Sequence, residues 1–147
     1  MTGERAEGTV SLTRTVTFTA AHRYHRPEWS EAHNRDAFGD PSLGDYHPHT
    51  YACEVTVAGP VDPATGMLVD LRALDRALRS EIVDRYDRRN LNLDVPEFAD
   101  GRDIPTGENL VRRIATDVQR SLGRGARVTE VTVAEDPTLR ATWRADG

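Results

Sequence analysis

The sequence predicts an α+β fold, an antiparallel four-stranded sheet with two helices on one face, in the order ββααββ. Three observations lead there. Residues 10–22 and 47–57 alternate with period two, two stretches with apolar residues every third or fourth position follow, and the chain closes on two more alternating runs. No repeat, linker or low-complexity tract divides the 147 residues, so they read as a single domain, 1–147, with a flexible polar lead over 1–8.

In the first strand Val10, Leu12, Val16, Phe18, Ala20 and His22 share a face, and Arg14 is the misfit. In the second, His47, His49, Tyr51, Cys53, Val55 and Val57 face one way, and Thr50, Ala52, Glu54 and Thr56 the other. The connection from Arg23 to Tyr46 is long, and long ordered loops are usually functional. Within it Ser30 can cap a short helix ending at Phe38. Gly59 to Gly66 is turn chemistry, and Met67 to Val69 reads as a brief extended piece. Asp70 then caps a helix striped with Leu71, Leu74, Leu78 and Ile82, reaching about Tyr86. After Asp87–Asn92 and a loop to Pro105, a second helix starts at Thr106, with Glu108 near its positive end. It buries Leu110, Ile114, Val118 and Leu122, and Gly123 stops it. The strands Arg127–Glu135, with Val131, Val133 and Glu135 on one face, and Leu139–Trp143 complete the sheet.

Composition narrows the function. A net charge of −5 argues against general nucleic-acid binding, and no apolar run approaches a membrane span. All 19 basic residues are arginine, which excludes Schiff-base chemistry on a lysine. The lone Cys53 faces inward as a structural thiol, and with no signal peptide the expected compartment is the cytoplasm.

All five histidines precede residue 50. His47 and His49, two apart on a strand, point the same way, and His22 ends the first strand on its apolar side. Antiparallel pairing of the two strands brings the three imidazoles together. Zinc suits such a set, since catalytic zinc takes three protein ligands and keeps one position open.

These motifs together resemble the 6-pyruvoyl-tetrahydropterin synthase family, which includes the 6-carboxy-tetrahydropterin synthases. The pieces are Phe18–His22, His47-Pro48-His49-Thr50-Tyr51, Asp62–Met67, Asn90-Leu91-Asn92, Pro105–Asn109 and Val131–Glu135. The resemblance implies the tunnelling fold, whose sheets join edge to edge into an oligomeric barrel, typically a homohexamer of two trimers. It implies zinc held by His22, His47 and His49, a pterin-like substrate anchored by Glu135, and a pocket lined by Thr106, Gly107 and Glu108. The implied reaction is a lyase reaction on 7,8-dihydroneopterin triphosphate, in which a cysteine and an Asp–His pair move protons and triphosphate leaves. Asp87 matches that aspartate, but Pro41 stands where the cysteine is expected and Arg88 where the histidine is. Neither replacement can act as a base. Three routes stay open. Asp40, Asp45, His25 or His33 takes over as base; or Arg88 and Arg89 bind an anionic group of a different substrate; or the protein is a non-catalytic, zinc-containing pterin binder.

Overall fold

The computed structural model describes residues 3–40 and 44–146. Met1 and Thr2 of the expected flexible lead, and Pro41, lie outside the described residues; residues 3–10 carry no strand or helix. The first strand, β1 (Ser11–His22), pairs antiparallel with β2 (His47–Ala58) over its whole length, from Ser11 opposite Ala58 to His22 opposite His47. Between them α1 (Glu31–Phe38) starts at Ser30, whose hydroxyl accepts the His33 N–H. Buried Asn34 braces this connection: its amide donates to the Arg26 and Ser30 carbonyls and its carbonyl accepts the Arg26 N–H.

Asp70 caps α2 (Leu71–Leu78) by accepting the Arg72 N–H, and the helix runs on through a π-helical turn (Arg79–Val83) into α3 (Asp84–Tyr86). The π turn follows from the spacing of the apolar stripe. Leu74, Leu78, Ile82 and Tyr86 recur every four residues, and an ideal helix rotates such a row by about 40° per step. A wider turn unwinds that drift, and all four side chains are fully buried. Leu71 is largely exposed, so the buried stripe begins one turn later than the sequence suggests.

Among the described residues the sheet has five strands in the order β3-β1-β2-β4-β5, one more than expected. The addition is β3 (Arg89–Asn90), two residues lying parallel to β1 at Ala20 and Ala21. It is too short to carry a period-two signal. It leads into the four-residue helix α4 (Leu91–Asp94) and a 3-10 turn at Pro96–Phe98. No strand forms at Met67–Val69. The long helix α5 (Gly107–Leu122) opens on Thr106, whose hydroxyl accepts the Asn109 N–H, and ends at Gly123, whose φ of 59° suits a residue without a Cβ. The strands β4 (Arg127–Asp136) and β5 (Leu139–Arg144) close the sheet.

The core fills the space between one sheet face and the helices. Phe18, Tyr51, Cys53, Val55, Val131 and Val133 meet Leu74, Leu78, Ile82, Leu110, Ile114 and Val118. Phe18 stacks on Tyr51 with ring centroids 4.8 Å apart. Burial pushes the Cys53 thiol up to about 12, so it stays a neutral filler. At the start of the row, Val10, which precedes β1, and Leu12 are exposed. Among the described residues no helix is long and apolar enough to cross a membrane.

Candidate metal centre

Antiparallel register brings the three histidines together. His47 lies opposite His22, and His49 lies opposite Ala20, one step along the same face. Their ligand atoms all fall within 4.8 Å of one another, and the ring centroids are 4.7 to 5.1 Å apart. The small Ala20 leaves room for the His49 ring. His22 is fully buried, and His47 and His49 are half-buried, so the cluster opens toward solvent on one side.

The second layer sets the ring orientation. His22 Nδ1 lies 2.8 Å from the Pro105 carbonyl, and His47 Nδ1 lies 2.8 Å from the Asp45 carbonyl. A carbonyl accepts only, so both rings carry their proton on Nδ1 and turn a lone pair outward on Nε2. The Tyr51 hydroxyl, 3.1 Å from His22 Nδ1, crowds the same nitrogen. His22 Nε2 and His49 Nε2 are buried without a hydrogen bond. An orphaned buried polar atom costs about 1–3 kcal/mol, and a divalent ion shared by these nitrogens removes that cost. Burial lowers the His22 pKa from 6.5 to about 4, with the Pro105 contact opposing and the two neighbouring imidazoles adding to the shift. The neutral ring is the form that binds a metal. The donor set therefore fits zinc.

Glu135 approaches from β4. Its Oε2 is 3.4 Å from His49 Nε2. The register of β4 against β5 shifts between Ala134 and Asp136, which leaves Glu135 as the extra residue of a bulge. Tyr24, just past the end of β1, has its hydroxyl pKa raised far above the usual value, first by burial and then by the Glu135 and Glu108 carboxylates, the former also its hydrogen-bond partner. Its ring sits edge-on to His22 at 5.0 Å. The start of α5 belongs to the same neighbourhood. Pro105 touches His22, Thr106 caps the helix, and Gly107 packs so close to β5 that a Cβ there would come within 3.2 Å of Ala141.

Asp87 and Arg88 are placed elsewhere in the chain. Asp87 Oδ1 accepts the Thr19 N–H, and the Arg88 N–H donates to the Thr19 carbonyl, at the outer edge of β1. Thr19 is three residues from His22, roughly 10 Å along a strand. Arg88 holds a φ of 61°, unusual for a side chain of its size, and its guanidinium is exposed. Of the alternative bases, His33 stacks on Trp29 at 3.9 Å on α1, and Asp45 is exposed beside His47. Sequence reasoning gave no role to Tyr24 or Tyr51, although Tyr51 continues the His47, His49 row.

An α+β sheet protein with a three-imidazole candidate metal centre at one end of two paired strands is the class that fold and site define. A family model described as 6-pyruvoyl tetrahydropterin synthase matches residues 11–146. The Drosophila melanogaster protein named 6-pyruvoyl tetrahydrobiopterin synthase is 38% identical over 133 residues, 90% of this chain and 78% of its own. The Homo sapiens protein of that name is 37% identical over 123 residues, 84% and 82% of the two chains. The solved Caenorhabditis elegans 6-pyruvoyl tetrahydropterin synthase superposes with a TM-score of 0.84 at 31% identity, covering 95% of this chain and 97% of that one. The chain belongs to the 6-pyruvoyl tetrahydropterin synthase family, a lyase family of pterin chemistry, and its architecture fits the tunnelling fold.

Proposed function

We propose that this protein is a zinc-dependent lyase of the 6-pyruvoyl-tetrahydropterin synthase type. Its substrate is 7,8-dihydroneopterin triphosphate or a related pterin-like molecule, and its proton relay is altered. The observation that carries the reading is the pair of buried, unpartnered ring nitrogens on His22 and His49 beside His47. A zinc ion held there supplies Lewis-acid polarisation of a substrate hydroxyl. The chain's own residues do the rest. Glu135 accepts the N–H donors of an aminopyrimidinone edge, and the Pro105 and Asp45 carbonyls keep both ring protons away from the ligand face. The first-turn backbone N–H groups of Gly107 and Glu108 on α5, next to Thr106, suit the polar edge of a ligand.

Asp87 is the one acidic group retained from the family's relay. It lies at the outer edge of β1, a side that a neighbouring subunit would approach in the hexamer of two trimers expected of this family; the exposed Arg88 beside it would offer an anion contact there. The proposed compartment is the cytoplasm, in keeping with the single, buried, unpaired Cys53.

Zinc content and triphosphate release from 7,8-dihydroneopterin triphosphate test this reading. Release that requires bound zinc and disappears in His47→Ala supports it. Tight pterin binding without turnover instead identifies a catalytically silent binder. In the double variant Pro41→Cys, Arg88→His, a gain in synthase turnover locates the altered step in proton transfer.

A further inference from the structure

The contact between Glu135 and His49 has an unusual form. The two atoms lie 3.4 Å apart, and His49 Nε2 is buried, yet it makes no hydrogen bond. Atoms this close without hydrogen-bond alignment are directed past each other. In a tetrahedral zinc site with bonds of about 2.0–2.1 Å, neighbouring ligand atoms stand about 3.3 Å apart. The observed separation matches that edge.

We infer that Glu135 is a conditional fourth metal ligand: its carboxylate closes the three-histidine centre while no pterin is bound and leaves it when a pterin arrives. The inference rests on the metal and pterin reading above and assigns Glu135 a second task within it. The bulge at Glu135 supplies the freedom. A residue outside the regular ladder is re-aimed relative to its strand neighbours. Glu135 stands outside the tight group formed by the imidazole ligand atoms, so a rotation of its flexible side chain separates the closed from the released position. Tyr24 hydrogen-bonds the carboxylate in the observed position, from beside His22, and stays its partner when the carboxylate leaves the metal.

One carboxylate cannot serve the metal and an aminopyrimidinone edge together. Pterin and metal therefore weaken each other's binding through Glu135, and the coupling is reciprocal.

The test uses the full chain with two probes. One is Co2+, which reports its coordination in the visible spectrum; the other is 2-amino-4-hydroxypteridine, a pterin without side-chain hydroxyls. In the wild type the pterin is expected to change the Co2+ bands and to weaken Zn2+ affinity, read by chelator competition. In Glu135→Gln, Zn2+ affinity falls about tenfold or more, and the Co2+ bands differ from the wild type and no longer respond to the pterin. Melting of the chelator-treated proteins checks that the variant folds; if it does not, the wild-type titration decides alone, and an unresponsive spectrum overturns the inference. Zn2+ affinity in Glu135→Gln within about twofold of wild type, with the same Co2+ spectrum, also overturns it. So does a pterin response that persists in the variant, because the pterin then acts on the metal directly. A wild-type protein that takes up neither metal defeats the metal reading and the inference together.

Discussion

His22 shows how burial sets chemistry at a single residue. Its ring is fully enclosed and its pKa is lowered to about 4. Between about pH 6.5 and 4 the unfolded chain binds a proton there and the folded chain does not. Stability contributed by the neutral ring is thus present above pH 6.5 and lost as the pH falls to 4. The loss is on the order of 3 kcal/mol for the metal-free protein. Chemical denaturation of chelator-treated wild type and His22→Gln across that range is expected to show a slope in the first that the second lacks. Zinc release should fall in the same window, since the proton and the metal compete for the imidazoles. The histidines are legible from their period-two placement. The Pro105 and Asp45 carbonyls that orient them are not, because a backbone oxygen leaves no mark on residue identity.

At the scale of the element, the start of α5 joins helix stability to the site. The Thr106 hydroxyl holds the Asn109 N–H, and the preceding carbonyl holds His22. Thr106→Ala is expected to cost about 1 kcal/mol in urea denaturation, with Thr106→Ser restoring most of it. The same substitution should weaken zinc binding, as the Pro105 carbonyl loses its fixed position. In α2, Leu78 is fully buried over the sheet, and Leu78→Ala is expected to destabilise by about 3 kcal/mol through the cavity it leaves. Both helices and their caps could be read directly, because Asp70, Thr106 and Gly123 are local signals. The π turn and the two-residue β3 arise from how neighbouring elements fit, and a window of sequence does not contain them.

The whole molecule is tied together on its helical side by a polar cluster. Asp117 on α5, almost fully buried, pairs with Arg85 from α3 and Arg120 from its own helix, and Arg85 also bonds Glu97, 2.7 Å away. Removing the carboxylate leaves Arg85 short of a partner. Asp117→Asn is expected to lower stability by about 3 kcal/mol, the range for breaking a buried pair, with the loss visible as an earlier thermal transition. The sheet ends on β5 at one side, and on the other β3 covers only Ala20 and Ala21 of β1. Open edges of this length favour pairing with further copies. Sedimentation is therefore expected to find an assembly rather than a lone chain, and the edge-disrupting Thr15→Pro should shift it toward monomer.

The sequence alone determined the α+β order, the two helices with their stripes and caps, and the three-imidazole cluster. Each of these is written in periodicity, in capping residues, or in side chains whose chemistry is specific. Tertiary structure alone decided which groups surround that cluster. A bulge turned Glu135 toward His49, and chain reversal brought Pro105 and Tyr24 to His22. Meanwhile Asp87 was drawn to the edge of β1. Such contacts join residues far apart in the chain through backbone atoms and strand irregularities, neither of which depends on a local pattern of residue types.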